Sequence, residues 1–275
     1  GRVTKLKVIS RRFFKMANAI LFPGQGSQFI GMGKKLAETL PVAREVFEEV
    51  DEALNENLSS IIWNGDMDEL TLTKNAQPSI MAVSMAVFRA LISRGLNLDK
   101  ISLLAGHSLG EYSAFCASEV FSLADTAKIL RKRGLFMQKA VPLGEGAMAA
   151  ILGLTAGKVS ALLKQGGFNS KKVQIANDND PSQVVISGEK GSVERFSKFL
   201  KDNGARKTIA LPVSAPFHSK LMSPAAIEME TTLEEIEFSD PKIPIVLNVN
   251  LQILGTKEGA LQSLINQVTG TVRWR

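Results

Sequence analysis

The chain has 275 residues, 45% hydrophobic and 22% charged, a globular composition with length for about two domains. Its formal net charge of +6 is not one field: Arg2, Lys5, Lys7, Arg11, Arg12 and Lys15 come before any acid, and the remainder balances 27 basic against 27 acidic residues. A balanced body argues against a nucleic-acid face, and no apolar run reads as long enough to span a bilayer.

Residues 1–15 read as a basic tail outside the fold, non-native or disordered, with Met16 as the natural start. Their acid-free character also fits an organelle-targeting remnant. Cys116 is the single cysteine, so no internal disulfide can form, and a reducing, cytoplasmic setting is expected.

Ala19 to Phe22 reads as a buried first strand, followed by the loop Pro23-Gly24-Gln25-Gly26-Ser27-Gln28. A helix from about Lys34 holds Leu36, Leu40, Val46, Phe47 and Val50, and Pro41 either interrupts it or starts a second one. Pro78 to Ser93 is apolar on most sides, as a core helix is. Ile101 to Ala105 is strand-like and runs into Gly106-His107-Ser108-Leu109-Gly110, then into helix formers through Glu119. Leu123 to Lys139 reads as another helix. After Pro142 the expected order is strand Gly146–Leu152, helix Ala156–Lys164, strands Val173–Asn177 and Val184–Ser187, helix Val193–Asp202 and strand Thr208–Val213. That βαββαβ order is the split-βαβ pattern of a ferredoxin-like unit. A helix Ser223–Ile236, a strand Ile245–Val249 and a helix Glu258–Val268 complete the chain. The expected fold is α/β: an α/β-hydrolase-like large subdomain with a short parallel sheet (residues 16–141 and 210–275), and an inserted ferredoxin-like α+β small subdomain (residues 142–209).

Gly106-His107-Ser108-Leu109-Gly110 fits G-x-S-x-G, the strained strand-to-helix turn that exposes a nucleophilic serine. Such a hydroxyl needs a base, and the chain has two histidines. His107 adjoins Ser108 and points away from it, which suits an orienting or structural role. His218, in the loop Pro216-Phe217-His218-Ser219, is left as the base. No carboxylate stands out to orient it, and a backbone carbonyl can serve instead. An oxyanion formed on attack needs fixed donors. The Leu109 N–H is one, and the Gln25 N–H, between two glycines, is the natural second. A phosphate-loop reading of Gly24-x-Gly26 fails, because Phe29 stands where a third glycine belongs and no Gly-Lys-Ser/Thr follows. Arg133 falls on the inward edge of its helix. Its partner is either a structural carboxylate or a substrate carboxylate held by two parallel hydrogen bonds.

Phe22-Pro23-Gly24-Gln25-Gly26-Ser27-Gln28, Gln77-Pro78, Gly106 to Ala114, Arg133-Gly134-x-x-Met137-Gln138, Asn177-x-Asn179-x-Pro181 and Pro216-Phe217-His218-Ser219 resemble the malonyl-CoA:acyl carrier protein transacylases, over Met16 to Trp274. The resemblance implies a Ser108 nucleophile, a His218 base and an oxyanion hole from Gln25 and Leu109. It implies that Arg133 grips a malonyl carboxylate, and that Gln77, Asn179 and Phe217 help bind the substrate, with Phe217 disfavouring α-methyl-branched units. It places the carbonyl that orients the histidine at Arg273, just before the tryptophan of Val-x-Trp. Malonyl-CoA and holo acyl carrier protein are the implied partners of a monomer, with no metal, no cofactor beyond the CoA thioester substrate, no nucleic acid and no membrane. Family members usually continue some tens of residues past that tryptophan, through a helix and a Gly-Pro-Gly segment, so the large subdomain here is expected to be C-terminally short. Two rival readings share the serine turn: a serine thioesterase or hydrolase, and an inactive carrier-protein-binding module.

Overall fold

The structure is a computed structural model that describes residues 18–213 and 215–275; the basic tail and Met16 lie outside the described residues. Strand β1 (Asn18–Phe22) opens the chain. Helices α1 (Lys34–Thr39) and α2 (Pro41–Leu54) follow. Pro41 occupies the first position of α2, where its missing N–H has no partner to lose, so it starts the second helix. Short helices α3 (Leu58–Asn64) and α4 (Met67–Thr71) are capped by the side chains of Asn57 and Asp66.

Helix α5 (Thr73–Ser93) begins five residues before the Pro78 expected to start it. An internal proline leaves the carbonyl four residues earlier without its N–H. Here that carbonyl belongs to Lys74, and it accepts a hydrogen bond from the Arg131 guanidinium, so the helix runs through the proline. At this full length α5 is, by length and composition, apolar enough to cross a membrane, which the sequence pattern did not suggest. Most of it is buried as the central helix of the core, where it packs on α2 and on two later helices.

Strand β2 (Ile101–Gly106) leads into α6 (Leu109–Ala117), and α7 (Leu123–Lys139) crosses back over α5. Then come β3 (Gly146–Leu152), α8 (Ala156–Gln165), β4 (Val173–Asp180), β5 (Gln183–Glu189), α9 (Lys190–Asp202) and β6 (Lys207–Ala210). The chain continues through α10 (Ser223–Glu234), β7 (Ile245–Val246), β8 (Ile253–Leu254), α11 (Ala260–Thr269) and β9 (Val272–Arg273).

Two sheets result. In the first, ordered β1-β2-β7-β8, the first three strands are parallel and β8 is an antiparallel edge. In the second, β6-β3-β5-β4 pair antiparallel in the split-βαβ order. One face of it packs Ile151, Val184 and Ile186 on Val193, Phe196 and Leu200 of α9. The other face turns Met148, Ala176 and Val185 toward Phe217, beside the site described below.

Two expectations change. The strand expected at Ile245–Val249 ends at Val246, because the Asn248 N–H leaves the ladder for the Glu111 carboxylate. Residues 210–275 do not stay with the first sheet: β9 adds to the second, parallel to β4, pairing Val272 with Asn177 and Arg273 with Asp178. The open edge of β4 lies beside the end of α11, and Thr271 Oγ1 donates to the Ile175 carbonyl at 2.6 Å to start the pairing.

Candidate active site

Ser108 sits between β2 and α6 with φ 55° and ψ −110°, a strained conformation for a residue with a side chain. The glycines that flank the turn are required by close approach. A Cβ on Gly106 would lie 1.8 Å from the Gly110 carbonyl oxygen, and one on Gly110 would lie 2.5 Å from that of Phe22. The turn thus presses β2, α6 and the end of β1 together and lifts the hydroxyl out of the layer.

His218 meets it from the loop before α10. Its own φ is 54°, and its imidazole is buried. Nδ1 lies 2.8 Å from the Gln267 carbonyl oxygen, which can only accept, so Nδ1 bears the proton. Nε2 is then an acceptor, and the Ser108 hydroxyl donates to it at 2.7 Å. Burial, and next the Arg133 charge, push the imidazole pKa down to about 3. The ring is therefore neutral at physiological pH, as a base must be.

The orienting carbonyl is that of Gln267, in α11, not that of Arg273. The Arg273 residue is turned to other work: its N–H donates to the Asn248 carbonyl at 2.9 Å while it pairs with β4. Pairing in β9 holds it in the second sheet, whereas Gln267 faces the serine from the last turn of α11.

Arg133 is 1% exposed. Its Nη1 donates to Gln77 Oε1 at 2.7 Å, and its Nη2 donates to Gln267 Oε1 at 2.7 Å and to Ser108 Oγ at 3.3 Å. The guanidinium carbon lies 5.4 Å from the centre of the Tyr112 ring. Among the described residues its hydrogen-bond partners are neutral oxygens, while Arg131, two positions earlier, takes the structural carboxylate of Glu56. Glu111 is near, but burial pushes its carboxyl pKa up to about 8, so it is largely protonated at neutral pH. Burial in turn lowers the Arg133 pKa from its ordinary value, with Tyr112 and Glu111 acting against that shift.

These groups face one cavity of about 360 Å³. Gln25, Gln77, Ser108, Leu109 and Arg133 line it from the first part of the chain, His218 from the loop before α10, and Met148, Asn177, Asn179 and Val185 from the second sheet. Phe217 is on its wall. Gln25 is held by its side chain, whose Oε1 accepts from Thr73 Oγ1 at 3.0 Å. Asn179 is spent in part on His107, whose Nε2 lies 2.9 Å from Asn179 Oδ1 while its ring packs edge-on to Trp274. His107 is thus a hydrogen-bonded wall residue. Among the described residues, no group of three or more His, Cys, Asp or Glu comes together that could hold a metal ion.

Three residues that sequence reasoning passed over complete the arrangement. Asn248 bonds the serine turn on both sides, with Oδ1 accepting from the Ser108 N–H at 2.9 Å and Nδ2 donating to the Gly106 carbonyl at 2.7 Å. Glu111 Oε2 accepts from the Asn248 N–H at 2.6 Å. Gln267 Nε2 donates to the Ser108 carbonyl at 2.9 Å.

A sequence model described as the acyl transferase domain matches residues 20–267. The malonyl CoA-acyl carrier protein transacylase of Bacillus subtilis is 46% identical over 256 residues, covering 93% of this chain and 80% of that protein. Its Escherichia coli K12 counterpart is 38% identical, covering 93% and 82%. Among solved structures, the acyl-carrier-protein-S-malonyltransferase of Bartonella henselae superposes with a TM-score of 0.90 at 51% identity, covering 94% of this chain and 82% of that one. A malonyl-transacylase in complex with its type II PKS acyl-carrier protein superposes with a TM-score of 0.89 at 39% identity, covering 94% and 83%. With its serine turn, its buried histidine and its unmatched arginine set as described, the chain belongs to the acyl transferase domain family, among the malonyl-CoA:acyl carrier protein transacylases.

Proposed function

We propose that the chain moves a malonyl group from malonyl-CoA to the phosphopantetheine thiol of an acyl carrier protein, supplying fatty-acid synthesis. The single observation that supports this most is Arg133, a buried cation without a carboxylate partner among the described residues, on the same cavity as the Ser108–His218 pair. A substrate that brings its own carboxylate completes the site. The assignment needs no cofactor, since the CoA thioester is a substrate. The working unit is a monomer in the cytoplasm. The larger part of the chain and residues 142–209 act as the two walls of the cleft.

The malonyl carboxylate binds Arg133, with Gln77 fixing the guanidinium from behind. The Ser108 oxygen attacks the thioester carbonyl as its proton passes to His218 Nε2. The Leu109 and Gln25 N–H groups receive the developing oxyanion. The C–S bond breaks, CoA leaves with the proton from His218, and a malonyl-serine ester remains. The carrier thiol then attacks that ester, giving its proton to His218, which returns it to the Ser108 oxygen. Asn179 and Phe217 bound the acyl and pantetheine end of the cavity.

Intact-protein mass spectrometry after exposure to malonyl-CoA tests this. One malonyl group per chain is expected, absent in Ser108→Ala and discharged by holo acyl carrier protein. Stoichiometric labelling of the alanine variant would defeat the assignment. Fast CoA release with no thiol acceptor would move the chain to the hydrolases.

A further inference from the structure

We propose that Asn248 is a positioning residue that holds the nucleophile turn in its reactive shape; this rests on the reading of Ser108 as nucleophile. The conformation at Ser108, with φ 55° and ψ −110°, is strained for a residue with a side chain and persists only where the surroundings impose it. The turn's own bonds lie around the serine rather than on its N–H. The His107 N–H goes to the Phe22 carbonyl, the Gly110 N–H to that of His107 and the Glu111 N–H to that of Ser108. The Ser108 N–H goes to Asn248 Oδ1.

The side chain of Asn248 spans the turn. Its oxygen takes the N–H of Ser108 while its nitrogen holds the carbonyl of Gly106, the last residue of β2. A primary amide offers an acceptor and a donor together, which neither a carboxylate nor an aliphatic side chain does. One residue thus fixes the peptide groups before and after His107, and with them the direction in which the chain enters Ser108.

Asn248 is itself fixed. It is 3% exposed. Its N–H is held by Glu111 Oε2 at 2.6 Å, and its carbonyl accepts from the Arg273 N–H at 2.9 Å. Gln267 Nε2 lies 3.3 Å from its Oδ1 and also donates to the Ser108 carbonyl. The serine is therefore held at its N–H by Asn248 and at its carbonyl by Gln267. Because the C=O and N–H of one planar peptide point in opposite directions, fixing the Ser108 carbonyl also aims the Leu109 N–H. None of this is ladder pairing, since β7 ends two residues earlier. The bonds converge on the serine, and the 2.7 Å approach of its Oγ to His218 depends on them.

The test compares wild type, Asn248→Ala and Asn248→Asp by rapid-quench acylation with malonyl-CoA, with rates scaled to the number of sites labelled on Ser108. Misplacing a reacting group by about 1 Å can cost roughly 100-fold. Asn248→Ala is expected to lose about that much in kcat, and Asn248→Asp, which keeps the acceptor but not the donor, an intermediate amount. KM for malonyl-CoA should hold, because Arg133 and the cavity walls are untouched. Should the alanine variant not fold, the aspartate variant and its KM-against-kcat split decide. A normal acylation rate per labelled site, or a rise in KM at constant kcat, would overturn the proposal whatever the melting temperature. Wild-type protein that takes no label on Ser108 would instead overturn the nucleophile assignment beneath it.

Discussion

At Arg133 the proposed function places the selection of substrate on a single guanidinium, the one that lines the cavity beside Ser108. Removing one partner of a buried ion pair costs about 3–5 kcal/mol, because the other charge is left stranded. Among the described residues, Arg133 has no carboxylate in its hydrogen bonds and rests on amide and hydroxyl oxygens and the face of the Tyr112 ring. Arg133→Ala should therefore lower kcat/KM for malonyl-CoA by about 150- to 5,000-fold, and acetyl-CoA transfer should be spared or improved. Side-by-side assays with the two thioesters check this, and an equal loss for both would make Arg133 structural. Ser108, His218 and Arg133 were legible in the sequence because each has a distinctive side chain in a distinctive setting. The carbonyl that orients His218 was not, because a backbone carbonyl has no residue identity. The resemblance pointed to Arg273, and the fold supplies Gln267, six positions earlier. Asn248 was hidden for a related reason: it was read as one more residue of a strand that in fact stops at Val246.

The arginine is brought to the serine by the crossing of α5 and α7. Gly134 follows it, and a Cβ there would lie 2.5 Å from the Lys74 Cα and 2.7 Å from the Thr73 carbonyl oxygen. The two helices touch at backbone distance where the Pro78 helix has its spare Lys74 carbonyl, and Arg131 fills that vacancy. Gly134→Ala is expected to force the helices apart and destabilise the protein by about 1–3 kcal/mol. It should also draw Arg133 away from Gln77. Thermal unfolding reads the first effect and the malonyl-to-acetyl rate ratio the second; wild-type values of both would show that the crossing tolerates the methyl group. Helix periodicity placed Arg133 inward correctly, since burial at a 3.6-residue repeat is a property of the segment itself. The start of α5 escaped because a proline that would end most helices is answered here by the Arg131 side chain, 57 positions from the Lys74 carbonyl it satisfies.

Across the whole molecule, buried titratable groups shape how stability follows pH, Glu111 and His218 in opposite senses. The native Glu111 carboxyl keeps its proton up to about 8, against an ordinary value of 4.5. Its contribution is complete below about 4.5 and is lost as pH rises toward 8. His218, pushed from 6.5 to about 3, contributes fully above about 6.5 and loses its contribution as pH falls toward 3. Between 4.5 and 6.5 the Glu111 slope is opposed by His218 and, in the same sense, by His107, whose pKa burial also lowers, so stability should not fall there; from 6.5 to 8 it should decline by about 1.4 kcal/mol per pH unit. Glu111→Gln should abolish that alkaline decline. Denaturant titrations of both proteins at pH 5, 6.5 and 8 check it, and parallel curves would show that the carboxyl is ionised throughout. The two-sheet plan was legible from strand order and spacing. The crossing of the last strand was not, because two residues have no periodicity to read. Yet Val272 and Arg273 are stitched to β4 on one side and, through Asn248, to the serine layer on the other. Such a seam ties the cavity's two walls to each other, so neither sheet can swing away from the serine without breaking β9.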